Sequence, residues 1–271
     1  MASILSRHGA QADIAQTEHA GHAQTIARQA ALSGIADTIV ACGGDGTAGE
    51  VMAGLIGSPV PLAILPAGTA NVTALSLGLP TDADALARYS LNGPAEPFRP
   101  ALANGTPFLC VASCGVDAEA VRRVSLDLKR RAGKLAYAAA GVSAFAAPPT
   151  RFEMHANGRH FEAAQVIISR VPFYAGRFRL FPDAAPFADT LNVLVVRPGG
   201  LMGGRARLLR FAMMAALGRH EGLRSVFRLS CQQVHVASPT PVAAQVDGDA
   251  CGTTPVTFSL ANEAVLLKRW N

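Results

Sequence analysis

The apolar run Ile39-Val40-Ala41-Cys42 passes directly into Gly43-Gly44-Asp45-Gly46-Thr47-Ala48-Gly49-Glu50, and a helix-compatible stretch, Val51 to Leu55, follows. No other segment narrows the fold as much. Strand, glycine loop and helix in that order are the working parts of an α/β unit. Glycines reach positive φ and let a backbone approach a ligand closely. N–H groups at a helix start attract phosphate. The loop therefore points to nucleotide phosphates. The acid at its centre separates it from most phosphate loops. Asp45 would repel a bare triphosphate; it makes sense if it orients a hydroxyl, a loop backbone or a metal-bound phosphate.

Two commoner motifs compete for these residues. Gly44, Gly46 and Gly49 fit G-x-G-x-x-G, the dinucleotide fingerprint, which expects an acid about 20 residues on. The next strand, Pro61 to Leu65, ends instead in Pro66-Ala67-Gly68-Thr69-Ala70-Asn71, without an acid. A phosphate loop of the Gly-Lys-Ser/Thr type needs a lysine, and none is near. A tight strand–helix turn with no ligand is the plain reading that remains.

From Gln11 to about Tyr89 the pattern alternates. Ala12–Ala15, Asp37–Cys42 and Leu62–Leu65 read as strands; His22–Leu32, Thr47–Ile56 and Thr69–Leu77 read as helices. Such alternation implies a parallel sheet with helices on its faces. Both glycine loops follow strand C-terminal ends, the edge where open α/β sheets bind ligands. The second half changes character. Asn104-Gly105, Asn157-Gly158 and Asp247-Gly248 are hairpin signals. Phe108–Ser113, Phe152–His155, Ala164–Ser169, Leu191–Val196 and Val234–Ala237 are strand candidates. The division expected is an α/β nucleotide domain over 1–96 and a β-rich domain over 97–262, with its boundary near Pro94 to Pro100.

Of 271 residues, half are hydrophobic, so a sizeable core is available. No apolar run approaches the roughly 20 residues of a membrane span; the longest, Leu135 to Pro148, reads as a packed helix. Met1 to Ala20 is polar and does not read as a secretory signal. The 5 cysteines lack C-x-x-C spacing, which suits reduced thiols in a cytosolic protein. Cys42 reads as packing within a core strand. The net charge of +5 is carried mostly by arginine. Arg122, Arg123, Lys129, Arg130, Arg131 and Lys134 form one cluster; Arg205, Arg207, Arg210, Arg219, Arg224 and Arg228 form another. Such patches suit an anionic membrane or nucleic acid, and solvated helix faces equally. No nucleic-acid module is visible, and no nucleic-acid partner is expected. Leu208, Leu209, Phe211, Met213, Met214 and Leu217 make a largely apolar helix. It reads as core, or as a surface for acyl chains or a bilayer. His19 and His22 could meet on a helix, without a third ligand for zinc.

Further segments carry a resemblance. Leu65-Pro66-Ala67-Gly68-Thr69-Ala70-Asn71, Ala74-Leu75-Ser76-Leu77-Gly78-Leu79-Pro80 and Val246-Asp247-Gly248-Asp249, taken with Gly43 to Val51, resemble the catalytic domain of the diacylglycerol, sphingosine and ceramide kinase superfamily, especially its bacterial soluble lipid kinases. Cys114-Gly115-Val116-Asp117-Ala118-Glu119, Gly133-Lys134-Leu135-Ala136-Tyr137 and Gly218-Arg219-His220 match its pattern in order and spacing. The resemblance spans nearly the whole chain. It implies an α/β domain followed by an antiparallel β-sandwich domain, with the active site between them. It also implies that the tail, 263–271, returns to the first domain.

The activity implied is phosphoryl transfer from ATP to a lipid hydroxyl, in phospholipid biosynthesis, with Mg²⁺ as cofactor. Positioning and charge neutralisation carry most such catalysis. By resemblance the nucleotide cradle is Gly43, Gly44, Asp45, Gly46, Thr47 and Gly49, with Gly68, Thr69 and Asn71 from the second loop. Thr17 is implied to touch nucleotide; a helix cap is its other reading. Asp247 and Asp249 flank a glycine turn. One could hold Mg²⁺ or orient its partner while the other takes the hydroxyl proton. The family usually has Asp-Gly-Glu here, and Asp249 stands at the Glu position, one methylene shorter. Without the family, Asp-Gly is first a hairpin turn. Asp45 and Asp117 are further polar candidates, Asp45 on the catalytic side and Asp117 on the substrate side. Asp189 matches an acid that helps build a structural Mg²⁺ site in the family, although Thr190 replaces the usual Gly.

Three departures bear on activity. The family's opening strand and its Asn-Pro glycine loop have no counterpart before the first helix. Val72 stands where many members carry Asp. Asp249 replaces Glu. A catalytically degenerate nucleotide- or lipid-binding module is therefore a live alternative. NAD kinase shares Gly-Gly-Asp-Gly, but its Asn-Glu dipeptide and Thr-Pro-Thr-Gly segment are missing. The expected setting is cytoplasmic, peripheral to the inner membrane surface, where the lipid partner lies. A homodimer stays open, and the sequence does not say which lipid is used.

Overall fold

The computed structural model describes residues 2–123, 150–199 and 203–270. Lys129, Arg130, Arg131 and Lys134, the segment Gly133 to Tyr137 and the run Leu135 to Pro148 lie outside these residues. The first third comprises α1 (Ala2–Arg7), α2 (His22–Ser33), β1 (Ile39–Gly43), α3 (Asp45–Gly54), β2 (Leu62–Pro66), α4 (Val72–Ser76), α5 (Ala83–Asn92) and β3 (Ala95–Phe98). Then come β4 (Ala101–Ala103), β5 (Thr106–Phe108), β6 (Val111–Gly115), α6 (Val116–Arg123), β7 (Phe152–Ala156), β8 (Arg159–Ala163), β9 (Gln165–Ser169), β10 (Phe173–Tyr174) and β11 (Phe178–Arg179). The rest is β12 (Leu191–Val196), α7 (Gly204–Ala216), β13 (Val226–Cys231), β14 (Gln233–Ala237), β15 (Ala243–Val246), β16 (Asp249–Thr253), β17 (Val256–Leu260) and β18 (Val265–Lys268).

The first sheet has the order β1-β2-β18-β3. β2 runs parallel to both β1 and β18, and β3 is antiparallel to β18. Leu62, Ala63, Ile64 and Leu65 are all buried, as a strand covered on both faces requires. Alternation divides them. Leu62 and Ile64 join a core with Ala27 of α2 and Met52 of α3. Ala63 and Leu65 face Leu86 and Tyr89 of α5. The Tyr89 hydroxyl accepts from Ile64 N and donates to the Lys268 carbonyl, both at 3.2 Å. That pins α5 to two strands; burial pushes the phenol up to about 12. The last strand thus lies inside the first sheet, between β2 and β3.

Among the described residues the second part is two six-stranded sheets, β13-β12-β9-β6-β15-β16 and β5-β4-β17-β14-β7-β8, with antiparallel pairings. Between them lie Phe108, Met154, Val166, Val193, Val234 and Phe258. The three hairpin signals all close turns. Asn104 and Gly105, Asn157 and Gly158, and Asp247 and Gly248 have positive φ at both positions, the geometry that matches strand twist. A continuous apolar cluster joins the two parts, running from Val51, Met52 and Leu55 to Leu109, Val111 and Ile167.

Several expectations fail. Ala12–Ala15 is not a strand; residues 10–18 run without ladder partners. Ile14 is the one large apolar side chain there and is exposed, so nothing drives the segment onto the sheet. Phe108–Ser113 is not one strand. It breaks at Leu109 and Cys110, and β5 and β6 belong to different sheets. An apolar run reads as one strand whether or not it changes sheet. Helix α4 is shorter than Thr69–Leu77 because Asn71 sits in the left-handed region at φ 49°. Cys42 is exposed rather than packed.

Candidate active site

The two glycine loops touch backbone to backbone. A Cβ on Gly68 would lie 2.4 Å from Gly44 Cα, and one on Gly43 would lie 2.7 Å from Thr47 Oγ1. No side chain fits at either position. Ala67 N donates to the Gly43 carbonyl at 2.9 Å and ties the loops again. Asn71 closes the second loop on itself. Its Oδ1 accepts from Gly68 N at 3.0 Å, and its Nδ2 donates to the Gly68 carbonyl at 2.8 Å. Gly46, by contrast, has open space where a side chain would stand. Gly46, Gly68 and Thr69 are exposed. The first turn of α3 therefore presents its N–H groups beside an uncrowded surface, the arrangement that accepts an anion.

Asp45 acts as a clamp. Val72 N and Thr73 N donate to its two oxygens at 2.9 Å each, and the Thr73 hydroxyl adds a third bond at 2.8 Å. The first residue of α3 thus caps α4 from the other loop. Of the three uses the sequence allowed, orienting a loop backbone is the one these contacts describe. Glu50, later on α3, does the same for α2. It accepts from Gly21 N at 2.9 Å and Ala23 N at 3.1 Å. Thr17 stands exposed before this cap and does not make it.

Asp247 comes in from the second part. It occupies the left-handed region at φ 48°, as the first residue of the turn between β15 and β16. Leu109 N donates to one oxygen at 2.6 Å; Cys110 N and Val111 N donate to the other at 2.9 Å. Those residues are where β5 ends and β6 begins. The carboxylate supplies the acceptors that the broken ladder lacks. Burial pushes Asp247 up to about 6, the three N–H bonds opposing and the Asp45 charge assisting. The Thr73 hydroxyl donates its hydrogen bond to Asp45. The Cys110 thiol, 2.9 Å away, is kept protonated by burial and by both nearby carboxylates. A polar chain Asp247–Cys110–Thr73–Asp45 thus crosses between the two parts. Gly49 faces it, where a Cβ would lie 4.0 Å from Asp247 Oδ2. Asp249 opens β16 with an exposed side chain.

Asp117 belongs to a second polar group. Gln165 Nε2 donates to its Oδ1 at 2.5 Å and the Tyr174 hydroxyl to its Oδ2 at 2.6 Å. Burial and Asp117 both raise the Tyr174 phenol, which keeps it a donor. Asp117 follows Gly115, at the end of β6 away from Val111. Four strand steps, roughly 13 Å, separate those ends. The structure does not place Asp117 in the Asp45–Asp247 chain.

The loop around Asp189 does not fit a metal. The carbonyls of Pro186, Ala188 and Thr190 all accept from the guanidinium of Arg170, the first at 2.9 Å. Arg170 is wholly buried and lies over the Phe98 ring at 5.1 Å. Asp189 pairs with Arg99 at 3.7 Å. A cation already holds these carbonyls, and it belongs to the chain. Asp247 differs: its oxygens accept only backbone N–H bonds, from Leu109, Cys110 and Val111. Thr73, Cys110, Glu50, Tyr174 and Arg170 escape sequence reasoning. Their roles depend on partners 16 to 137 residues away along the chain.

Residues 1–101 match the family model for the diacylglycerol kinase catalytic domain, and residues 110–268 match the YegS C-terminal NAD kinase beta sandwich-like domain. The second match alone covers more than half of the chain. The chain belongs to the diacylglycerol kinase family. A diacylglycerol kinase of Bacillus subtilis (strain 168) is 30% identical over 249 residues, 89% of this chain and 80% of that protein. One from Staphylococcus epidermidis is 26% identical over 94% of this chain and 80% of its own length. An uncharacterized Synechocystis protein is 30% identical over 223 residues, and the chain spans about half of its length (51%). A Bacillus anthracis str. Sterne structure shares the fold with a TM-score of 0.76 at 22% identity, covering 96% of this chain and 86% of that one. The family's two-part layout is thus the frame for the cluster above. No helix among the described residues is long and apolar enough to cross a membrane.

Proposed function

We propose that this family member is an ATP-dependent kinase that passes the γ-phosphate to the hydroxyl of a diacylglycerol-like or sphingoid lipid at a membrane surface. One observation carries the reading: the Asp45 clamp joins both glycine loops and, through Thr73 and Cys110, meets the Asp247-Gly248-Asp249 turn. The nucleotide's phosphates would lie along Gly43 to Gly49 with Gly68, Thr69 and Asn71, and Thr17 would border the nucleotide. Mg²⁺ would enter with those phosphates and neutralise their charge. Asp247, held by three N–H groups, fixes the turn. Asp249, exposed at the far side of the turn, would accept the hydroxyl proton. Asp117, with Tyr174 and Gln165, is the substrate-side group.

Helix α7 supplies a surface for the membrane. Leu208 and Phe211 are buried, while Leu209, Met213 and Leu217 are 55%, 59% and 62% exposed. Spaced four apart, these three make one stripe. Arg205, Arg210 and Arg219 are exposed beside it, and residues 204–217 contain no acid. Apolar side chains flanked by arginine suit an anionic lipid surface.

A second reading has its own observation. Asp249 stands where the family usually has Glu, one methylene shorter. A base drawn back from the reacting hydroxyl favours a module that binds nucleotide or lipid without turnover. Transfer of label from Mg-ATP to an added lipid decides between them. Labelled lipid supports the kinase; nucleotide or lipid binding without label supports the module.

A further inference from the structure

The outer face of the second sheet gathers histidines that the kinase reading does not use. On β7 the pattern alternates: Phe152, Met154 and Ala156 are buried, while Glu153 and His155 face solvent. Across the β7–β8 hairpin, His155 stands opposite His160 and Glu153 opposite Glu162. Across β14, His155 stands opposite His235. Three of the chain's 7 histidines therefore form one row over three adjacent strands.

We propose that Glu153, His155 and His160 form a binding site for a first-row transition-metal dication of the zinc class, with His235 as a reserve ligand. One ligand atom from each of the three lies within 4.8 Å of the others. Glu153 Oε2 is 3.5 Å from His160 Nε2 and 3.9 Å from His155 Nε2. Ligands about 2.1 Å from a tetrahedral ion stand roughly 3.4 Å apart, so small rotations of three solvent-facing side chains close the set. The strands fix the backbone positions, which leaves little ordering for the ion to impose. The rings of His155 and His160 are 4.8 Å apart, and those of His155 and His235 are 6.4 Å apart. The Thr257 hydroxyl holds His235 Nδ1 at 2.9 Å, which leaves Nε2 as the nitrogen for a metal. Such outer-shell bonds fix ring orientation in metal sites.

Electrostatics favours the same occupant. Glu153 and Glu162 face each other directly, and like charges in that arrangement destabilise a sheet. A dication relieves them. Two imidazoles with one carboxylate select zinc, nickel or copper over Mg²⁺, which takes oxygen ligands. An open hollow of about 820 Å³ adjoins the row, lined in part by His155, His235, Thr257 and Cys231. Solvated histidines are ordinary one at a time. Two across a hairpin, bridged by a glutamate and backed by a third, are a chelate. The ion would clip β7 to β8 at the sheet edge.

Full-length, tag-free protein stripped of metal is titrated with ZnCl₂ by calorimetry and melted with and without Zn²⁺. The expected result is one bound zinc per chain and a raised Tm. His155→Asn and His160→Asn should each weaken binding at least about tenfold and lose the Zn²⁺-dependent rise, while keeping the metal-free Tm. His19→Asn, in the other histidine pair, should change nothing. Binding that survives both sheet substitutions, or that disappears only on thiol alkylation, overturns the proposal. So does the absence of any zinc binding by the wild type.

Discussion

Asp247 is a carboxylate used as a backbone acceptor, and its environment sets a pH signature. Burial raises it from 3.8 to about 6 in the folded protein. The native state therefore holds an extra proton between those values. The group's contribution to stability is full below about pH 4 and is lost as pH rises through 6, on the order of 3 kcal/mol in all. Urea midpoints of wild type and Asp247→Asn should diverge in slope across that window; parallel curves would remove the assignment. Gly68 makes a steric prediction. Alanine there would place Cβ 2.4 Å from Gly44 Cα, and both atoms are backbone, so the loops must part. The expected loss is about 1–3 kcal/mol, together with nucleotide binding. A Gly68→Ala protein that binds nucleotide normally would show that the loop contact is incidental.

At the scale of elements, legibility follows the range of the interaction that decides each one. β1, α3, β2 and the three hairpins were readable because a run of apolar residues or an Asn-Gly or Asp-Gly pair determines them locally. The break at Leu109 was not readable, because its cause is the carboxylate of Asp247, 138 positions away. Candidate site residues divide the same way. Gly43, Gly44 and Gly68 show themselves as loops, whereas Thr73 and Cys110 matter only once the two parts meet. Helix α7 shows what periodicity alone leaves open. Its apolar residues spread over more than one face, and the fold buries Leu208 and Phe211 while leaving Leu209 and Met213 outside. Leu209→Glu with Met213→Glu should lower affinity for anionic vesicles at least about a hundredfold, since each removes a side chain worth about 1.5–3 kcal/mol on burial. Folding should be unaffected. Unchanged vesicle binding would move the membrane contact elsewhere.

For the whole molecule, what matters is how two parts are held so that loops from one meet a turn from the other. A shared apolar cluster does most of this, and Arg170 braces the second part from within. Its guanidinium, lowered to about 10 chiefly by burial, occupies the place that the family resemblance reserves for a metal. Added Mg²⁺ should leave the Tm of the metal-free protein unchanged. Arg170→Met should cost on the order of 3 kcal/mol, because three carbonyls lose their partner. A wild-type Tm that rises with Mg²⁺ in the absence of nucleotide would contradict that view. The central claim is turnover at the turn where Asp249 stands, and ³²P transfer from labelled Mg-ATP into a mixed lipid extract tests it most directly. Wild type and Asp249→Glu, which restores the usual family residue, should both yield labelled lipid, while Asp249→Asn should fall at least about a hundredfold. Labelling by Asp249→Asn at the wild-type rate, or none from wild type and Asp249→Glu alike, would contradict it.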